Sequence, residues 1–398
     1  MTVMQMGGKT VGQWVILIIL LLIVASCTSS PSTPPSATPI PPATTTPATF
    51  SPTTPTPAPT EGDATPAVDI PPFQVVYTCG QRGRQLCLAE ASGEVQYLTS
   101  LPSPSRVTAF VVDPEQRWVV YARHLDATFG EELWRVSLHS GEEQQLLAFD
   151  TSHAVSSLAW SPARDCIACA VTPLEAGPPE APAGMEQDEL WLISPDGSRQ
   201  ERIIPKDAGE SIGWRWLYWS QDERFLFANR FFPDEIRAPT LYALDLNTRR
   251  LQRITENTRL LDQSRDGTLL LGSTGEGTPG QLWTLDWPTT TVPVPLTPQG
   301  WSDTDARWST DGAQIIFAST QHPYSHSHLW TMNSDGSQRR QLTSGAGREY
   351  LPRWLPGDGD NYVLFLCPRH TMWLLEVETG KTRLVVEEAN VDYVPLQD

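Results

Sequence analysis

Trp308-Ser309-Thr310-Asp311-Gly312, an apolar run at 315–318, Leu329-Trp330, then Asn333-Ser334-Asp335-Gly336-Ser337: this stretch decides the fold. Asp-Gly pairs tolerate the positive φ that a tight turn demands, so they mark hairpins. The run at 315–318 is too short for a helix and suits a buried strand. The same order recurs along the chain. Trp160-Ser161-Pro162, Trp219-Ser220-Gln221-Asp222, Gln263-Ser264-Arg265-Asp266-Gly267, Val112-Asp113-Pro114 and Trp354-Leu355-Pro356-Gly357 take the first place. Leu133-Trp134, Leu190-Trp191, Leu241-Tyr242, Leu282-Trp283 and Met372-Trp373 take the place of Leu329-Trp330. Between the landmarks, apolar strands are predicted at 118–121, 166–171, 225–228, 268–271 and 363–366. Last strands are predicted at 201–204, 251–255, 340–343 and 383–386.

The first landmark falls at Asp113, Ser161, Ser220, Ser264, Ser309 and Leu355, at spacings of 48, 59, 44, 45 and 46 residues. Tandem units of about 40–50 residues with four short strands each mark a β-propeller, whose blades surround a central channel. Residues 73–99 supply three strands of a unit that lacks its first. Val75-Val76-Tyr77 matches Val119-Val120-Tyr121, and Leu86-Cys87-Leu88 stands at the Leu-Trp place. Asp392-Tyr393-Val394-Pro395-Leu396 resembles Glu349-Tyr350-Leu351-Pro352-Arg353, which leads into an inner strand. The C-terminal strand is therefore expected to join the N-terminal blade and close the ring. Residues 73–398 number 326, about 47 per blade for seven blades and about 54 for the alternative of six. The spacings of 44 to 46 favour seven. The expected fold is all-β, a propeller of four-stranded blades over residues 73–398.

These motifs resemble the repeat of the TolB-type, WD-like β-propellers: a W-S-P-D-G turn, an apolar strand, an L-W strand and an S-D-G-S turn. The resemblance covers nearly all of residues 107–388 and speaks for fold far more than for function. TolB carries an α/β domain before its propeller; here a different N-terminal region stands in that place, so a Tol transport role does not carry over. Propellers of this kind also accompany Ser-hydrolase domains in oligopeptidases, but this sequence holds no G-x-S-x-G elbow.

Upstream of the repeats the chain reads as an address and a spacer. Residues 15–25 form an unbroken apolar run of eleven. A membrane-spanning helix needs about 17–25 residues, so the run suits the core of an export signal. It ends Val24-Ala25-Ser26-Cys27, which resembles a bacterial lipobox: small residues for the peptidase, then the cysteine whose thiol takes the lipid. The expectation is a lipoprotein signal at 1–26 and lipidation of Cys27. Residues 27–72 are then a lipidated cysteine followed by a stalk of Pro, Thr, Ser and Ala that cannot bury a core. As extended polyproline II, at about 3.1 Å per residue, such a stalk reaches on the order of 100 Å. The expected location is extracytoplasmic, anchored to a bacterial membrane.

The 398 residues include 28 Lys and Arg against 46 Asp and Glu, a net charge of −18. Nucleic acid is held by clustered basic residues, so it is excluded as an ordinary partner. Protein, peptide and glycan remain, bound by a monomer on one propeller face.

Ten of the 15 Trp residues sit on the repeat frame and read as packing between blades. Off the frame, Trp214, Trp216 and Trp301 are placed in loops between blades, with Phe231 and Phe232 in a loop between second and third strands. Both loop classes open on one face, and exposed aromatics there suggest a binding surface. Cys79 and Cys87 flank a hairpin turn and suit a disulfide in an exported protein. Cys166 and Cys169 fall on opposite faces of one strand and read as buried packing. His322, His326 and His328 form the one ligand-like cluster; they are the candidate metal site of an alternative reading as a metal-assisted polysaccharide enzyme. The favoured reading takes no cofactor and no catalytic residue: a binding or scaffold module. A second alternative is a structural part of an envelope assembly, with the acidic insert at 172–189 as a possible contact.

Overall fold

The computed structural model describes residues 71–80, 84–124, 130–149, 153–163, 165–173, 189–203, 213–231, 239–274, 280–320, 326–344, 347–357, 359–368 and 370–396. The expected signal at 1–26, Cys27, the expected stalk as far as residue 70 and the insert at 174–188 lie outside the described residues.

The described chain is all-β, with no helix. Blade 1 begins with β1 (Gln74–Cys79), β2 (Gln85–Glu90) and β3 (Val95–Tyr97). Blade 2 holds β4 (Arg106–Val112), β5 (Trp118–His124), β6 (Glu131–Ser137) and β7 (Glu143–Ala148). Blade 3 holds β8 (His153–Trp160), β9 (Ile167–Pro173), β10 (Glu189–Ile193) and β11 (Gln200–Ile203). Blade 4 holds β12 (Gly213–Trp219), β13 (Phe225–Phe231), β14 (Thr240–Asp245) and β15 (Arg250–Thr255). Blade 5 holds β16 (Thr258–Gln263), β17 (Leu269–Thr274), β18 (Leu282–Asp286) and β19 (Val294–Pro295). Blade 6 holds β20 (Ser302–Trp308), β21 (Gln314–Thr320), β22 (His328–Asn333) and β23 (Arg340–Gln341). Blade 7 holds β24 (Tyr350–Trp354), β25 (Tyr362–Cys367), β26 (Thr371–Glu376) and β27 (Thr382–Val386), and β28 (Ala389–Leu396) follows. The seven sheets each hold four antiparallel strands, and β28 is the inner strand of blade 1, in the order β28-β1-β2-β3. Seven blades, four strands each and closure by the C-terminal strand are as the sequence predicts.

The first landmark is a turn built by its own side chains. Ser309 donates through Oγ to Asp311 Oδ1 at 2.6 Å and accepts from the Gln314 N–H at 2.9 Å. Ser264 with Asp266 and Leu269, and Ser220 with Asp222 and Phe225, repeat both bonds. The hydroxyl thus satisfies a backbone donor that the turn leaves without a ladder partner. The turn's left-handed position is filled by Gly267 and Gly312, at φ 72° and 74°.

The buried apolar residues fall into seven clusters, one at each contact between neighbouring blades. Each sheet is therefore apolar on both faces, which is why its strands read as continuous hydrophobic runs. Trp160, Trp219, Trp308 and Trp354 close the inner strands and are all buried. Two of them also reach back one blade: the Trp219 indole donates to Ala159 O at 3.0 Å, and that of Trp354 to Arg307 O at 3.3 Å. Cys166 and Cys169 enter the clusters on opposite faces of blade 3, and both are free thiols.

Every inner strand carries a bulge against its second strand. A bulge adds twist and turns side chains out of simple alternation. In blades 4, 6 and 7 the bulged residues Trp216, Asp305 and Leu351 have φ of 50°, 54° and 51°.

Candidate functional site

The inner strands line the central channel, and one level of its wall is chemically distinctive. The residue just before the first landmark is Val111 in blade 2, Ala159 in blade 3, Tyr218 in blade 4, Asp262 in blade 5, Arg307 in blade 6 and Arg353 in blade 7. Their second-strand partners are Val120, Ala168, Phe227, Leu271, Ile316 and Leu364, so all six stand at one register. Val394, opposite Val76, holds that register in blade 1. Three successive blades thus present Val394, Val111 and Ala159, and the next four present Tyr, Asp, Arg, Arg. Blade 3, with Ala159, lies across the ring from the contact between blades 6 and 7.

The polar arc is incompletely satisfied. Arg307 donates through Nη1 to the carbonyls of Leu261 and, at 2.8 Å, Ala306. Asp262 accepts from the Trp308 N–H at 2.9 Å. Arg353 has no hydrogen bond to any described residue, and its Nη1 is buried without a partner. Neither arginine makes an ion pair among the described residues. Burial pushes the Arg353 guanidinium down to about 10, and the like charge of Arg307 adds to the shift. Burial also raises the Asp262 carboxyl above its ordinary range, against the pull of Arg307 and Arg353. Beside Arg353, the Tyr393 hydroxyl donates to Leu351 O and, at 2.8 Å, to Leu364 O. Burial holds that phenol well above its ordinary range, with the two arginines pulling the other way. Both arginines are half-buried, and leaving a buried guanidinium nitrogen such as Arg353 Nη1 without an acceptor is costly. Chemically, this arc can hold an oxyanion.

The aromatic surface expected from the sequence is only partly present. Trp214 is 2% exposed and packs between blades 3 and 4. It and Trp216 belong to β12 rather than to a loop, because the inner strand starts at Gly213 and absorbs its extra residues in the bulge. Trp216 is half-buried with the Arg259 guanidinium 4.0 Å over its ring. Trp301 is half-buried just before β20, with Arg339 4.1 Å over it. Arg339 also donates to Asp303 Oδ1 at 2.9 Å and Ser319 Oγ at 3.0 Å, which fixes the stack. Phe231 ends β13, and Phe232 lies outside the described residues.

His326 is exposed, and His322 lies outside the described residues. His328 begins β22 and pairs through Nδ1 with Glu349 Oε2 at 2.8 Å. Among the described residues no three His, Cys, Asp or Glu side chains gather as metal ligands would. Cys79 and Cys87 are joined by a disulfide, with Cα atoms 5.9 Å apart across the first hairpin.

The arginine arc was missed by a reading that looked for aromatics and histidines. Its signal was present: aligning the repeats on their first landmark and reading one residue upstream gives the arc directly.

No protein-family model matches the sequence, and no curated protein does. Among proteins of known structure, a prolyl endopeptidase superposes with a TM-score of 0.59 at 13% identity, over 78% of this chain and 49% of its own. The chain thus spans about half the length of that peptidase. An oligogalacturonate lyase in complex with manganese gives 0.56 at 13% identity, over 80% of this chain and 85% of its own. TolB from Acinetobacter baumannii is a weaker likeness, at 0.46 and 15% identity, over 79% and 80%. The first two likenesses are likenesses of fold.

Proposed function

We propose that the protein is an extracytoplasmic lipoprotein, held to a bacterial membrane through lipid on Cys27, whose propeller head binds a protein, peptide or glycan without turning it over. The head works as a monomer and without a cofactor. The observation that carries this reading is the arc Tyr218, Asp262, Arg307 and Arg353: polar side chains from four blades at one level of the channel, two of them cations without ion pairs. All four are half-buried, placed where a ligand in the channel could reach them, and binding is the use that fits such a set of charges. Trp216 and Trp301 add half-buried aromatic surface of the kind enriched at interfaces. The net charge of −18 turns the rest of the molecule away from polyanions. The sequence at 24–27 and the Pro-rich stretch after it support the anchor and the spacer.

The test uses the full chain, solubilised in mild detergent, as bait against envelope extract and on a glycan array. One saturable ligand is the expected result. No ligand in either format, together with one equivalent of tightly held metal in tag-free protein, would replace this reading with metal-assisted chemistry at His326 and His328. Cys27→Ser is expected to move the protein from the membrane to the soluble fraction.

A further inference from the structure

We infer that Arg307 and Arg353 form an oxyanion site in the channel wall, taking a carboxylate or phosphate group on a small organic ligand. This goes beyond the binding reading above and rests on the same arc.

Two observations independent of each other lead there. The first is placement. Arg307 and Arg353 hold the same register in adjacent blades, near enough for the charge of Arg307 to bear on Arg353. The second is the hydrogen-bond inventory. A guanidinium carries five N–H donors. Arg307 uses Nη1 alone, on two carbonyls. Arg353 uses none among the described residues, and its buried Nη1 has no acceptor among them. Asp262 stands on the far side of Arg307 and spends one oxygen on the Trp308 backbone. Asp305, the other acid near the arc, accepts from the Leu351 N–H at 3.3 Å. Neither acid lies within ion-pair distance of either arginine. The like-charge repulsion that helps to lower Arg353 is what a bound anion would relieve. Planar guanidinium forks match carboxylate and phosphate oxygens two at a time.

The experiment titrates the full chain with inorganic phosphate, acetate and hexanoate, each against sodium chloride at matched ionic strength, and follows Tm and calorimetric binding. Expected is a Tm that rises with oxyanion concentration beyond the chloride control, as a ligand of the native state requires. The phosphate and carboxylate arms say which group is preferred, and the difference between hexanoate and acetate says whether the ligand's apolar part adds to binding. Arg353→Met should remove the response while leaving the fold intact, because this arginine has no hydrogen bond to a described residue to lose. If that variant does not fold, Arg353→Lys keeps the charge without the fork and should weaken binding about tenfold or more. No oxyanion effect beyond chloride, an undiminished effect in Arg353→Met, or unchanged affinity in Arg353→Lys overturns the site. Partner capture is scored separately on the same variant. A partner retained while the oxyanion response is lost upholds the site and places the partner elsewhere, whereas a partner found by a protein indifferent to oxyanions overturns the site and leaves the binding reading standing.

Discussion

Trp214 and Trp216 stand two positions apart in one strand and have different fates. Trp214 is sealed between two blades, and Trp216 sits in the bulge at φ 50° under Arg259. Removing a buried indole leaves a cavity as well as lost transfer energy, so Trp214→Ala should cost about 3–5 kcal/mol. Trp216→Ala loses a partly solvated cation–π contact and should cost about 1 kcal/mol. Urea unfolding of the two variants measures the difference; equal losses would show that Trp216 is packing too. The turn aspartates make a second prediction at this scale. Serine hydroxyls and backbone N–H groups hold Asp266 and Asp311 below their ordinary 3.8. A carboxyl whose folded value is depressed adds stability that is complete above the unfolded value and is lost as pH falls through the folded one. Tm should therefore hold down to about pH 5 and fall below 3.8. Asp311→Asn should flatten that acid limb. Glu131 and Asp262, which burial raises, contribute with the opposite sign and gain as pH falls, so the comparison of wild type with Asp311→Asn isolates the turn.

Among the elements, β28 has the largest consequence for its length. It supplies Ala389 and Tyr393 to the cluster between blades 7 and 1, and Leu396 to that between blades 1 and 2. Without it β1 keeps an unpaired edge of apolar residues, a template for aggregation. A chain ending at residue 388 should lose its near-UV circular dichroism and elute as aggregate; a truncated protein that melts cooperatively as a monomer would show that the clasp is dispensable. The same elements explain what could be read in advance. Hairpins such as Ser309 to Gln314 are fixed by local side-chain chemistry, so the repeat, the strand count and the β28 closure are legible from a few turn residues and their spacing. The bulges are not. Leu261 alone is inserted in β16, whereas Asp305 and Ala306 stand against one partner residue in β20, and neither insertion has a composition of its own. Simple alternation therefore misplaces the inner-strand side chains. That is why Trp214 reads as a loop aromatic, whereas Arg307 and Arg353, which follow their bulges and immediately precede the landmark turn, can be aligned from the repeat alone.

At the scale of the whole molecule, the ring has seven blade contacts and an apolar cluster at each, the fullest where blade 7 meets blade 1. If stability lies in closing the ring, the place where the chain closes it should be exchangeable. Gln74 pairs with Leu396 in antiparallel register, and antiparallel neighbours can be joined by a short turn. A permutant can therefore link residue 396 to residue 73 through a Gly-containing loop and open the chain at Thr379, in the turn between β26 and β27. That turn is held mainly by backbone bonds, from Gly380 N–H to Glu376 O at 2.8 Å and from Glu376 N–H to Lys381 O at 2.9 Å, and Thr379 is exposed. All seven clusters survive the change, and the clasp moves to blade 7. The permutant should keep the near-UV spectrum and one cooperative transition, with Tm lowered by a few degrees, the equivalent of about 1 kcal/mol lost in a single turn. The chain ending at 388 keeps every native connection before β28 and is still expected to fail. Should the permutant fail as well, closure through blade 1 would be a requirement of folding order rather than of packing, and a cluster at every contact would not make the closing place exchangeable.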